Sequence, residues 1–311
     1  MYQHNPDYFI TIVECGSLTK ASERLYVSQP SLSKYIKRLE SNLGVQLFDR
    51  TSSPLRLTFA GERYYRYVLD MQRMAKDLHK EFLDISNQQR GRIRLGIALW
   101  RGACLLPDIF PQFHAQYPGI EIELFEGRSN QLEKALINDN IDLAVMNLPQ
   151  SLDYAKLTCE TIFEEPILLA APSRHPEVQK LLADCRYIGP YPVAPLDFIL
   201  HFPLILTKPG QNLTVQIMSF LSKHHLTPSI LMDTGNLTTA INLAAEGIAA
   251  TFVPEEGAKV CERPGKIIYL FQDCPELRWP LAVVYRKDSY LPELSRIFIE
   301  ELKKTLGKHL F

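Results

Sequence analysis

Apolar residues recur at three- and four-residue intervals through the N-terminal third of the chain, and that spacing predicts helices. Phe9, Ile12 and Val13 mark one, ended by Gly16. Ala21 and Leu25 mark a second, with Ser17 or Thr19 as its cap. Leu32, Ile36, Leu39 and Leu43 follow at spacings of four, three and four, so they form one buried stripe on a third helix. Ser28 suits the N-cap of that helix, and Pro30 falls in its first turn, where a missing N–H costs nothing. Two short extended runs, Phe48–Arg50 and Leu55–Leu57, then flank a Ser52-Ser53-Pro54 turn and predict a hairpin. From Thr58 the pattern lengthens. Tyr64, Val68, Met71, Ala75, Leu78, Phe82 and Ile85 alternate spacings of four and three, which is a heptad seam rather than the broad stripe of a helix on a globular core.

Past a hinge at Gln88-Gln89-Arg90-Gly91 the texture changes to alternating strands and helices. Strands are predicted at 93–97, 120–124 and 141–145, with helices over 105–117 and 132–138 between them. A second set has strands at 203–206, 229–232 and 248–253 and helices over 213–224 and 237–245. A strand over 279–285 and a helix over 292–306 close the chain. This order implies open parallel sheets covered by helices, in two lobes. Lobe I takes about 91–163 and 268–311, and lobe II about 164–267, with crossover strands near 163–169 and 266–270. The fold class is α/β with a winged helix-turn-helix head over 1–58, a linker helix and hinge over 59–90, and a two-lobed effector domain over 91–311.

The third helix carries chemistry opposite its buried stripe. Ser33, Lys34, Lys37, Arg38 and Ser41 form a face of short polar groups and cations, as a helix needs in a DNA major groove. A merely solvated surface is the alternative. The overall charge of −1 does not suggest a nucleic-acid partner, but its distribution does. Residues 17–66 hold nine Lys and Arg against four Asp and Glu, whereas residues 91–311 hold 21 against 25. Attraction for phosphate is therefore confined to one end. The heptad seam predicts pairing with a second copy, so that two heads meet two half-sites; one long core helix is the alternative.

Gly16-Ser17, Thr19, Ala21, Leu25, Ser28-Gln29-Pro30-Ser31-Leu32-Ser33, Ile36, Leu39-Glu40, Leu43-Gly44, Leu47-Phe48, Arg50, Leu57-Thr58 and Gly61 together resemble the N-terminal domain of LysR-type transcriptional regulators. The match runs without a gap. Ser22 departs from it where the family usually has alanine, and Lys34 where arginine is commoner, which removes the bidentate fork that suits guanine. Leu105-Leu106-Pro107, Glu164-Glu165-Pro166 and Gly247-Ile248 with Pro254 extend the resemblance to the effector domain, which is similar to periplasmic solute-binding proteins. The resemblance implies double-stranded DNA as partner, a homodimer assembling to a tetramer, and RNA polymerase as a further partner. Thr19, Gln29, Pro30, Ser31, Ser33, Lys34, Lys37, Arg38, Arg50 and Ser52 are the predicted DNA-binding residues. Gln29, Pro30, Ser33 and Lys34 are placed for base edges, and Lys37, Arg38, Arg50 and Ser52 for phosphates.

Ligands bind open α/β sheets beyond the carboxyl ends of their strands. That rule predicts Trp100, Arg101, Arg128, Ser129 and Asn147 on lobe I and Thr207, Asn212 and Asn236 on lobe II as effector-binding residues. Family members usually offer serine or threonine in the first two of these loops; here Trp100, Arg101 and Arg128 stand there. Two arginines near helix N-termini favour a carboxylate or phosphate, with Trp100 against its body. The alternative is that both arginines face solvent or pair with Glu126 and nearby carboxylates. No GxSxG, GxxxxGK[ST], HExxH or GxGxxG motif is present, so no enzyme is expected. No cofactor or metal is expected either, since the eight histidines lack ligand spacing and the six cysteines lack CxxC. Reduced, buried cysteines are expected, with a redox pair such as Cys261 and Cys274 left open. No apolar run approaches the ~20 residues of a membrane span, and no signal-peptide pattern opens the chain, so a cytoplasmic location is expected. A solute-binding module without a regulatory role is the competing function. The heptad seam and missing export signal oppose it.

Overall fold

The first helix owes its ends to two local devices. Asn5 accepts the Asp7 backbone N–H at 3.0 Å, and Gly16 stops the helix in the left-handed conformation at φ 56°. The computed structural model describes residues 5–49, 54–85, 91–261 and 263–306. It divides into two compact units, residues 1–86 and 87–311. In the first, α1 (Pro6–Cys15), α2 (Leu18–Arg24) and α3 (Gln29–Leu43) precede a hairpin of β1 (Phe48–Asp49) and β2 (Arg56–Leu57) and the long α4 (Phe59–Ile85). Phe9, Ile12, Ala21, Leu32, Ile36, Leu39, Leu47 and Phe48 form the core of this unit. Ser17 caps α2 and Ser28 caps α3, whose last turn ends at Gly44 with φ 69°.

Two contacts fix the hairpin against the helices. The buried Glu40 carboxylate accepts the backbone N–H groups of Leu47 and Phe48 at 2.9 and 3.2 Å. Thr58 caps α4 through Gly61 at 3.0 Å and donates its hydroxyl to the Gln46 carbonyl at 2.7 Å. Gly61 lies so close to the hairpin that an added Cβ would sit 2.0 Å from the Leu47 carbonyl oxygen. Only glycine fits there. Arg50, Ser52 and the predicted hinge at 88–90 lie outside the described residues.

The second unit runs β3 (Gly91–Ile97), α5 (Leu99–Gln116), β4 (Ile120–Glu126), α6 (Ser129–Ile137), β5 (Leu143–Asn147) and the long β6 (Leu157–Pro172). It continues through α7 (Pro176–Ala183), β7 (Tyr187–Ile188), β8 (Tyr191–Pro192), β9 (Leu204–Thr207), α8 (Asn212–Lys223), β10 (Ile230–Thr234) and α9 (Leu237–Ala245). Then come β11 (Thr251–Pro254), α10 (Glu255–Val260), β12 (Ile267–Leu270), β13 (Arg278–Arg286) and α11 (Glu293–Leu306). In lobe I the strand order is β4-β3-β5-β13-β6, with β3 parallel to β4 and β5 and β13 antiparallel to its neighbours. Leu143, Val145, Leu281 and Val283 face the core under α5 and α11, whereas Ala144, Met146, Ala282 and Val284 face α6. A sheet covered on both sides must be apolar on both, and these strands are.

Strand β6 belongs to both lobes. Its residues 157–166 pair with β13, and residues 167–172 pair with β11 and β12. Pairing of β12 with that second half places Ile267–Leu270 within lobe II, so the return crossover lies after residue 270 and not at 266–270. Lobe II is completed by the parallel pair β9–β10 and by helices α8 and α9, over a core that includes Leu168, Ile217, Phe220 and Phe252.

Candidate functional site

On α3 the buried stripe of Leu32, Ile36 and Leu39 leaves the opposite face open. Gln29, Pro30, Ser31, Lys34, Lys37 and Arg38 are exposed there, and Ser33 is half-buried. Ser31 shares a 2.8 Å hydroxyl contact with Ser28, and the exposed Thr19 begins the neighbouring α2 while its carbonyl accepts the Ser22 hydroxyl at 2.8 Å. Tyr26, in the turn between α2 and α3, is 96% exposed at φ 55°. Seven predicted groups are thus carried on one short stretch of one helix.

The effector half corrects the sequence reading at several positions. Helix α5 begins at Leu99, six residues before the predicted start, and carries Pro107 and Pro111 inside it. Trp100 and Arg101 therefore sit in its first turn rather than in a loop. Arg101 is completely buried, and its two terminal guanidinium nitrogens are committed to Glu165 and Asn147. It pairs with the equally buried Glu165 of β6 and donates to Asn147 Oδ1 at 2.5 Å. Asn147 in turn donates to Glu165 Oε1 at 2.8 Å, and the Glu256 backbone N–H reaches Glu165 Oε2 at 3.3 Å. Arg101 is not a free cation awaiting an anion; a charge this deep is stable only when paired.

Trp100 is likewise committed. Its ring stacks 4.0 Å from the Arg101 guanidinium, and it packs against the lobe II core beside Gly257, where an added Cβ would come within 3.5 Å of the indole. It bolts α5 to α10 across the lobes instead of lying open to a ligand. Thr207 is buried, with its hydroxyl 2.6 Å from that of Thr214 and its carbonyl accepting the same Thr214 hydroxyl. Asn236 is spent as the N-cap of α9, accepting the Thr238 N–H at 2.9 Å.

The remaining residues do converge. Ser129 opens α6 and Asn212 opens α8. Asn212 Nδ2 donates to Ser129 Oγ at 2.8 Å and to the Asn147 carbonyl at 3.2 Å, so the N-termini of a lobe I helix and a lobe II helix meet across the cleft. Arg128, the exposed N-cap of α6, stands beside them; its backbone N–H donates to Gln131 Oε1 at 2.9 Å. Glu165, which anchors the buried network, is not among the site residues that the sequence singles out, and Glu256 joins it only through its backbone N–H while its carboxylate pairs with Lys259. Glu165 was visible only as part of the Glu164-Glu165-Pro166 motif.

A bacterial regulatory helix-turn-helix model of the lysR family matches residues 6–62, and a LysR substrate binding domain model matches residues 86–307. The chain belongs to the LysR family. It is a LysR-type transcriptional regulator with an N-terminal helix-turn-helix domain and a two-lobed substrate-binding domain. The HTH-type transcriptional regulator YcgK of Bacillus subtilis is 30% identical over 309 residues, covering 96% of this chain and 93% of its own. The DNA-binding transcriptional dual regulator OxyR of Escherichia coli is 26% identical over 304 residues, covering 97% and 95%. Among solved structures, HinK of Pseudomonas aeruginosa aligns with a TM-score of 0.60 at 26% identity, covering 98% of each chain. The relatives are named as transcriptional regulators, and nothing supports a solute-binding module without that role. No described helix is long and apolar enough to cross a membrane.

Proposed function

We propose that this LysR-type regulator reads operator DNA as a homodimer through the exposed face of α3, and that a small organic anion in the cleft between α6 and α8 controls it. The observation that carries the DNA reading is the exposed run Gln29, Pro30, Ser31, Lys34, Lys37 and Arg38, backed by a fully buried stripe. Gln29 and Lys34 lie toward the start of the helix, where side chains meet base edges, and Lys37 and Arg38 lie further along, suited to phosphates. In the cleft, the support is the meeting of Ser129 and Asn212 at two helix N-termini with Arg128 beside them, a setting that favours negative charge. Arg101 and Trp100 have no part as ligands in this reading. They hold the floor.

The DNA assignment is tested by binding isotherms on several operator variants over a range of salt. Lys37→Ala should weaken every sequence about equally and reduce the salt slope by about one unit. Gln29→Ala should narrow the difference between operators, with little change in slope. If both variants alter only general affinity, the base-reading role of the helix start is wrong.

A further inference from the structure

The structure brings His224 to Cys274 and Glu276, a pair that lies some 50 residues further along the chain. His224 ends α8, while Cys274 and Glu276 lie in the segment that returns from lobe II to lobe I between β12 and β13. His224 Nε2 is 3.5 Å from Cys274 Sγ and 3.6 Å from Glu276 Oε2, and Cys274 Sγ is 2.8 Å from that same oxygen. We propose that His224, Cys274 and Glu276 bind a thiophilic divalent cation of the zinc class on the crossover between the lobes.

The spacing suits that chemistry. With metal bonds of about 2.0–2.3 Å to nitrogen, oxygen and sulfur, neighbouring ligands of a tetrahedron lie roughly 3.3–3.6 Å apart; the two edges from His224 match that spacing, and the 2.8 Å thiol–carboxylate hydrogen bond is the edge that opens when the thiol proton leaves. One sulfur, one imidazole nitrogen and one carboxylate oxygen favour zinc over magnesium or calcium, which require oxygen shells. The surrounding groups orient the ligands as outer partners of a metal site do. Lys223 holds the other oxygen of Glu276, and Gln216 Nε2 donates to the Glu276 carbonyl at 2.7 Å. The Phe220 ring lies 5.1 Å from the His224 imidazole. Cys274 is buried, whereas His224 and Glu276 are half-buried, which leaves an approach from solvent and a fourth position for water. On binding, a metal–sulfur bond forms and the thiol proton passes to solvent, replacing the contact that Cys274 now makes with Glu276. An occupied site would tie α8 to the crossover segment, and α8 carries Asn212 at its other end. The link to the effector cleft rests on the function proposed above; metal binding itself does not.

Full-length protein, stripped with a chelator and kept reduced with a phosphine, should be titrated with Co2+ and then challenged with Zn2+. One Co2+ per chain should bind with a thiolate-to-cobalt charge-transfer band and tetrahedral d–d absorption, both removed by Zn2+. Cys274→Ser should abolish the charge-transfer band, His224→Gln should weaken Co2+ binding by at least the roughly 10- to 100-fold that loss of an outer partner costs, and Cys185→Ser should change neither. Absence of the band, or its survival in Cys274→Ser, overturns the site. Should Cys274→Ser fail to fold, His224→Gln with an unaltered circular dichroism spectrum decides the matter, because undiminished Co2+ affinity there also overturns it.

Discussion

Arg101 and Glu165 are both wholly out of contact with water, and neither charge has another counter-ion within the network described. Truncating one partner leaves the other ionised in a low-dielectric interior, a penalty of about 3–5 kcal/mol. Arg101→Ala should therefore lower the unfolding free energy of the effector half by that amount in urea denaturation. Replacing both residues by methionine should recover only part of it: the unpaired charge is gone, but the Asn147 amide and the Glu256 backbone N–H lose their buried partners. A stable Arg101→Ala protein that had lost only its effector response would restore Arg101 as a ligand. The sequence shows an arginine beside a strand end and cannot show its partner, 64 residues away on another strand. Glu40 illustrates the same limit. It belongs to a family motif, yet its task of holding the Leu47 and Phe48 amides appears only in three dimensions.

Helices were legible wherever their periodicity was local, and misjudged where a proline stood in the way. Pro107 falls in the first turn of the helix expected over 105–117, whereas in the structure α5 starts at Leu99 and both Pro107 and Pro111 lie inside it, a position that proline rarely takes. Strand β6 was legible only in part. Its first half carries Glu160, Glu164 and Glu165 and lacks the alternation that marks a strand. Helix α4 forms over the residues whose spacing predicts it, and its described apolar positions divide into two sets. Tyr64 and Val68 pack into the head's own core, with Tyr64 4.8 Å from the Phe9 ring. Met71, Leu78 and Phe82 stay exposed, as does Met74 beside them. A bare apolar stripe on a helix of 27 residues is best buried against a second copy. Leu78→Glu would set unpaired carboxylates against each other there, so residues 1–90 should sediment as a monomer after a loss of several kcal/mol. Lys76→Glu, on the polar side, should leave the dimer mass unchanged. Two variants that both remain dimeric would move the interface elsewhere.

At the scale of the whole effector half, the two lobes are joined in two different ways. Buried contacts around Arg101, Glu165 and Trp100 hold α5 to β6 and α10, while the half-buried Asn212 amide reaches lobe I through hydrogen bonds to Ser129 and the Asn147 carbonyl. The first set resists opening and the second does not, so motion should concentrate at the rim where α6 faces α8. In the proposed function, an anion bridging Arg128 and those two helix ends would favour the closed form, and that difference in affinity would shift the equilibrium. A carboxylate present at 100 times its dissociation constant should stabilise the full-length protein by about 2.7 kcal/mol in a thermal-shift screen of small organic acids. Arg128→Ala should remove that gain and leave operator affinity without ligand unchanged. Asn212→Asp should also remove it, because a carboxylate at the mouth of α8 repels the anion the site would otherwise attract. If the compounds that stabilise the protein are neutral, or if Arg128→Ala responds at the same concentration, charge does not select the effector, and the cleft must recognise it through Ser129, Asn212 and the Asn147 carbonyl alone.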